Sequence, residues 1–239
     1  MHKINERPLS PGIAGDITPI LASLNDAQRQ AVTAPAVPML VIAGAGSGKT
    51  RVLVHRAAWL IEVEGASPES LLAVTFTNKA AAEMRGRIES LLQTPVNHLW
   101  IGTFHGLAHR LLRRHWAEAR LPQNFQIIDS DDQLRLIKRL LRGLELDETR
   151  WVPREIQYFI NAQKDEGLPP QHLDDERDAN RAQFIALYRS YQDACDRGGL
   201  VDFAELLLRA HELWRDNADL LAHYQRRFRH LLVDEFQDT

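Results

Sequence analysis

The sequence predicts an α/β protein in which a parallel sheet is interrupted by a mainly helical insertion. Three observations carry this. The apolar run Met39 to Ala43, too short for a helix, passes through Gly44, Gly46 and Gly48 into Lys49-Thr50 and a helical pattern, the order of a strand, a phosphate loop and a helix. Two more apolar runs, Leu71 to Phe76 and Leu99 to Gly102, each lead through a polar, aromatic turn into a helical stretch. A fourth run, Arg229 to Val233, ends in Asp234-Glu235.

The phosphate loop has a specific physics. Its glycines let backbone N–H groups curl into a concave anion nest, and the helix that follows aims its positive N-terminus at the same place. Residues 43 to 50, Ala43, Gly44, Ala45, Gly46, Ser47, Gly48, Lys49 and Thr50, are therefore read as a nucleotide triphosphate cradle. Lys49 reaches the β- and γ-phosphates and the Thr50 hydroxyl ligates Mg²⁺. Ala43 stands where the G-x-x-x-x-G-K-[ST] pattern has its first glycine; alanine is tolerated if that residue keeps a negative φ.

Composition narrows the class. The chain has 239 residues, 44% of them hydrophobic, and a formal net charge of -3, values of an ordinary globular protein with a real core. Such a charge does not advertise nucleic-acid binding, so that partner must be argued from local sites. The single cysteine, Cys195, excludes an internal disulfide and a cysteine-based zinc site and fits a reducing compartment. No apolar run approaches the ~18 residues of a membrane span, and the N-terminus lacks an apolar signal core. The expected location is cytoplasmic, with no membrane partner.

Residues 1 to 20 hold Pro8, Pro11, Gly12, Gly15 and Pro19 with no sustained periodicity and read as a flexible arm. Asn25 or Asp26 caps a short helix that ends before Pro35 and carries Gln28. A glutamine amide is both donor and acceptor, as is the adenine edge, but taken by itself a solvated helix glutamine is the far simpler account of Gln28. The junction Thr75-Phe76-Thr77-Asn78 either holds a phosphate while Phe76 stacks on a base, or is a helix capped by Asn78 with Phe76 in the core. Thr103-Phe104-His105 repeats the arrangement after the next strand, and two such turns on one sheet edge suggest one ligand track. His105 and His109 have zinc-ligand spacing, yet no third ligand is evident. Between about Leu121 and Asp196 the texture is helical. Ser130-Asp131-Asp132-Gln133 reads as a capping box, Pro153 starts a helix, and Phe184, Leu187, Tyr188 and Tyr191 share one face. Leu168 to Asp178 reads as an exposed loop. Gly198-Gly199 closes this section and Leu206, Leu207, Leu208 and Leu213 mark another helix.

An apolar strand ending in two acids completes a phosphate-loop site. Asp234 is expected to hold Mg²⁺, usually through water, and Glu235 to polarise or deprotonate the attacking water, with Lys49 as its catalytic partner on the phosphates. Two acids alone would be ordinary surface; the phosphate loop upstream decides for the catalytic reading.

Six blocks in order, Leu24-Asn25-x-x-Gln28, residues 43 to 50, Val74 to Arg85, Gly102 to Arg110, Val201 to Leu207 and Val233 to Thr239, resemble the N-terminal part of the UvrD/Rep family of superfamily-one DNA helicases, from about residue 20 onward. The resemblance implies that the fold is RecA-like, with residues 21–115 and 200–239 forming the ATP-binding domain and 116–199 the accessory helical subdomain. It implies that Gln28 reads adenine, that Arg51 and Arg87 lie near the nucleotide, and that Phe76, Thr77, Asn78, Phe104, His105 and Phe203 line a single-stranded DNA track that Thr103 borders. Family members are ATP-driven motors that translocate 3′ to 5′ on single strands, open duplex junctions, and act with other repair proteins in nucleotide-excision and mismatch repair.

By the same resemblance the chain is truncated before a second RecA-like domain and its trans-acting arginines. Losing such arginines costs about 10³ to 10⁵ in turnover, so at most feeble ATPase activity is expected, and no unwinding. Two other classes remain: a nucleotide-responsive single-strand binding module without catalysis, and a different phosphate-loop enzyme such as a small-molecule kinase.

Overall fold

The computed structural model describes residues 17–174 and 178–238. Most of the N-terminal arm, residues 1–16, and residues 175–177 of the Leu168 to Asp178 loop fall outside that description. The chain forms two compact units, one running to Thr103 and resuming at Tyr224, the other Phe104–His223.

The first unit is α/β. Helices α1 (Thr18–Leu21) and α2 (Asp26–Val32) precede α3 (Lys49–Glu62), and α4 (Asn78–Leu92) connects β1 (Leu71–Thr75) to β2 (Trp100–Thr103). All pairing is parallel, with β2 on one side of β1 and β5 (His230–Val233) on the other. A parallel ladder requires a crossover, which α4 supplies between β1 and β2. The register Val74↔Val233 and the bond from the Asp234 N–H to the Val74 carbonyl at 2.9 Å bring the acid pair to the carboxyl end of the sheet. The core joins Ile20, Leu24 and Val32 to Ala57, Trp59 and Leu60 of α3, Leu71 and Ala73 of β1, and Met84 and Ile88 of α4.

Several expectations are corrected here. The run 39–43 lies in no strand: Leu40 is 65% and Ile42 86% exposed, because among the described residues no strand pairs with it. The flexible-arm reading extends too far, since Thr18–Leu21 is helical and Ile20 sits in the core. Thr77, not Asn78, caps α4, its hydroxyl accepting from the Ala80 N–H at 3.1 Å; Thr77 is extended and Asn78 already helical, as a side-chain cap requires.

The second unit is mainly helical. It comprises α5 (Phe104–Arg114), β3 (Gln126–Ile127), α6 (Ser130–Gly143), α7 (Pro153–Asp165), α8 (Ala179–Gly198), β4 (Leu200–Val201), α9 (Phe203–Asp216) and the start of α10 (Ala218–Arg227). β3 and β4 form a short parallel pair of their own. The division falls outside the sequence-read limits 116 and 199 because α5 packs along α9. Asp129, one residue before the expected capping box, caps α6. In the expected exposed loop, Pro170 and Leu173 are buried. As expected, α8 turns Leu187, Tyr188 and Tyr191 into the core, with Phe184 partly buried against it and Cys195 buried beside them, and Gly199 ends it at φ 62, a left-handed cap that glycine adopts freely.

Candidate functional site

The glycine turn and its flanking helices build a cleft in the first unit. Gly48, at φ 90, is the N-cap of α3, and Gly46 is also left-handed at φ 74. These angles curl the chain so that its N–H groups and the first turn of α3 face one concavity. Ser47 closes the turn, its hydroxyl donating to the Gly44 carbonyl at 2.6 Å. The Lys49 ammonium donates to the Ala43 carbonyl at 3.0 Å and the Gly44 carbonyl at 3.3 Å. Gln28, Gly46, Ser47, Gly48, Lys49, Thr50, Arg51, Arg87 and Glu235 line a cleft of about 540 Å³, with Ser23 and Asn25.

Thr50 and Asp234, 184 positions apart, meet: the Thr50 hydroxyl donates to Asp234 Oδ2 at 3.1 Å. Asp234 is 5% exposed. Burial pushes its carboxyl above the ordinary range, against the lowering effect of the Thr50 bond. A buried carboxylate beside a hydroxyl is an all-oxygen donor set of the kind that hard divalent cations take, so the residues present fit Mg²⁺. Glu235 adopts φ 52, a left-handed conformation unusual for a residue with a Cβ, and its Oε2 accepts from Gln237 Nε2 at 2.5 Å.

The glutamine on α2 is held at both ends of its amide. Asn25 caps α2 by accepting from the Gln28 N–H at 2.9 Å, and Gln28 Oε1 accepts from the Asn25 N–H at 3.1 Å. Gln28 Nε2 donates to the Ser47 carbonyl at 3.0 Å. This reciprocal box was legible as a cap, but the glutamine's part in it was missed. Arg87 pairs with Glu83 at 3.3 Å on an exposed face of α4, and with Arg51 it also borders a neighbouring cleft of about 640 Å³.

Of the remaining predicted residues, Thr77, Asn78 and Thr103 lie in the first unit with Phe76, at the carboxyl ends of β1 and β2. Phe76 is 40% exposed, which rules against the core-filling alternative. In the second unit Phe203, 51% exposed, meets His105 edge to face at 5.8 Å, and Phe104 begins α5. Burial lowers the His105 pKa although Asp165 opposes it.

A buried charge cluster fixes the start of α9. Lys164, with a fully buried side chain, lies 2.6 Å from Asp202 Oδ2 and 3.0 Å from Glu205 Oε2. Tyr191 donates to Asp202 at 2.7 Å, and Arg209 Nε lies 2.5 Å from Glu205. Burial opposes the Lys164 charge, but the two carboxylates outweigh it and raise its pKa; burial likewise opposes the Glu205 charge, and Lys164 and Arg209 hold it low. Asp202 Oδ1 also caps α9 by accepting from the Glu205 N–H at 2.8 Å. The spacing of Asp202 and Glu205 signals the cap, whereas nothing in the sequence announces Lys164. Cys195 is 1% exposed and burial pushes its thiol up to about 12, which marks a packed residue and not a nucleophile.

A nest of N–H groups, a lysine at its rim, a hydroxyl against a buried carboxylate and a second acid beside them make a site able to take a polyphosphate with a divalent cation. Comparison with known proteins agrees in class: the chain belongs to the UvrD/REP helicase family, matching the family's N-terminal domain over residues 24–239. It is 61% identical over 224 residues to DNA helicase II of Escherichia coli K12, 94% of this chain and 31% of that protein. It is 57% identical over 228 residues to DNA helicase II of Haemophilus influenzae, again 94% and 31%. Against the ATP-dependent DNA helicase PcrA of Bacillus subtilis 168 the identity is 39% over 221 residues, 92% of this chain and 30% of that protein. The chain thus spans about a third of the length of the curated relatives it matches. Among the described residues no helix is long and apolar enough to cross a membrane.

Proposed function

We propose that this chain is the ATP-binding, RecA-like part of a 3′-to-5′ DNA helicase that acts in DNA repair, and that it binds MgATP and single-stranded DNA. The observation that carries the reading is the Thr50–Asp234 contact at 3.1 Å, which joins the phosphate loop to the acid-tipped strand. In this reading the backbone of residues 44–48 and Lys49 hold the phosphates, with Lys49 leaving its loop carbonyls for them. Thr50 and Asp234 would hold Mg²⁺, which would supply charge neutralisation on the phosphates. Glu235 orients and deprotonates water, Gln28 meets adenine, and Arg51 and Arg87 flank the nucleotide. Phe76, Thr77, Asn78 and Thr103 in the first unit, and Phe104, His105 and Phe203 in the second, contact the single strand. The helical unit that contains residues 116–199 serves as the accessory subdomain, duplex junctions and repair proteins are partners of the whole protein, and the location is cytoplasmic.

The test is ATP hydrolysis with Mg²⁺, with and without single-stranded DNA, on this chain and on Glu235→Gln. Feeble turnover lost in the variant, with both ligands bound, supports the reading. Binding of ATP and DNA with no turnover at all favours a nucleotide-responsive binding module. Absence of DNA binding overturns the single-strand part of the reading for this chain.

A further inference from the structure

We infer that Arg56, which lies two turns beyond Lys49 on α3 and does not line the nucleotide cleft, is a positioning residue that makes the site select adenine over guanine. The inference rests on the reading of Gln28 as the adenine contact.

The amide of Gln28 has a fixed sense. Its oxygen accepts from the Asn25 N–H at 3.1 Å and its nitrogen donates to the Ser47 carbonyl at 3.0 Å; a flipped amide would set donor against donor and acceptor against acceptor. One lone pair on Oε1 and one N–H on Nε2 remain. That pair matches the N6 donor and N7 acceptor of adenine, whereas on guanine the Oε1 acceptor would face the O6 acceptor. The Asn25 bond is internal to the cap of α2, so selectivity depends on holding α2 where the bond to Ser47 forms.

The hold comes from α3. Arg56, 6% exposed, donates from Nη1 to the Val32 carbonyl at 2.8 Å, one of the last carbonyls of α2, which have no partner within the helix. Glu64 Oε1 orients the guanidinium at 3.0 Å. The preceding residue, His55, places Nδ1 2.5 Å from the Ile20 carbonyl of α1, and Arg29 of α2 donates to the Leu21 carbonyl at 3.2 Å. One helix thus presents Lys49 and Thr50 at its start and, two turns on, holds the glutamine helix through Arg56 while His55 holds α1. The guanidinium sets the base contact and leaves the phosphate contacts alone.

The experiment measures equilibrium binding of ATP, GTP and inorganic tripolyphosphate, each with Mg²⁺, to the wild-type chain, Gln28→Ala and Arg56→Met. A bidentate base contact discriminates by roughly 5- to 100-fold, so the wild type is expected to prefer ATP by about that ratio and Gln28→Ala to lose it. Arg56→Met is expected to lose most of that ratio while tripolyphosphate affinity stays within roughly twofold, a split that general damage to the loop would not produce. A wild-type ratio in Arg56→Met, with the ratio lost in Gln28→Ala, overturns the inference. A wild-type ratio in Gln28→Ala overturns the adenine reading and the inference with it. Should Arg56→Met fail to fold, Arg56→Gln, too short to span Val32 and Glu64, takes its place under the same outcomes.

Discussion

The Thr50 hydroxyl bonds the Asp234 carboxylate at 3.1 Å across 184 positions of sequence, so the first turn of α3 and the end of β5 form one site. Removing the carboxylate's charge separates its two roles. Asp234→Asn keeps an acceptor for Thr50 but loses a charge that burial disfavours. Because the folded pKa is raised, ionisation destabilises the fold as pH rises through and above the ordinary carboxylate range. In metal-free buffer at pH 7 the variant is expected to melt at a higher temperature than wild type, and with Mg²⁺ and ATP to gain less stabilisation. Thermal melts with and without ligand measure both.

Lys49→Ala is expected to abolish measurable ATP affinity while the fold survives, since the side chain's described contacts are to the loop carbonyls of Ala43 and Gly44. Titration with ATP and Mg²⁺ checks this; normal affinity would refute the phosphate-loop assignment.

Gly48→Ala tests the turn itself. A Cβ there would lie 2.8 Å from Gln28 Nε2 and would sit at φ +90. The glutamine tip can swing aside, so the left-handed backbone decides, at about 1–2 kcal/mol. Chemical denaturation should show that loss, with weaker ATP binding as the Gln28–Ser47 bond goes.

Phe203→Ala should weaken single-strand binding by about 1–3 kcal/mol if a base stacks on it. At 51% exposure the ring contributes little to the core, so the melting temperature should stay close to wild type. Fluorescence anisotropy with a labelled oligonucleotide gives the first number, and an unchanged affinity removes Phe203 from the interface. Phe76→Ala makes the same test in the first unit.

Lys164→Met leaves Asp202 and Glu205 buried with Arg209 as the remaining cation of the cluster. Breaking a buried ion pair costs about 3–5 kcal/mol, to be read by urea denaturation at pH 7. The wild-type cluster has a raised lysine and a lowered glutamate pKa. Its contribution is present below the ordinary lysine pKa and above the ordinary glutamate pKa, giving a plateau between about pH 5 and 10. In the variant an unpaired carboxylate has its pKa raised by burial, so part of the lost stability should return as pH falls toward 5.

The sequence by itself determined the parts whose signals are local. Glycine spacing marked the turn at residues 43–50, apolar runs marked β1, β2 and β5, and helical texture marked the second unit, because backbone conformation and side-chain period are set within a few residues. It did not disclose the exposure of 39–43, since whether an apolar run joins a sheet depends on which strands pair beside it. It left Phe76 between core and surface, a choice made by packing. Only the tertiary structure set Asp234 against Thr50, buried Lys164 between the cap residue of α9 and an acid in its first turn, and locked the Gln28 amide between Asn25 and Ser47. These contacts join residues distant in the chain, and their chemistry exists only once burial has stripped the groups of water and geometry has chosen their partners.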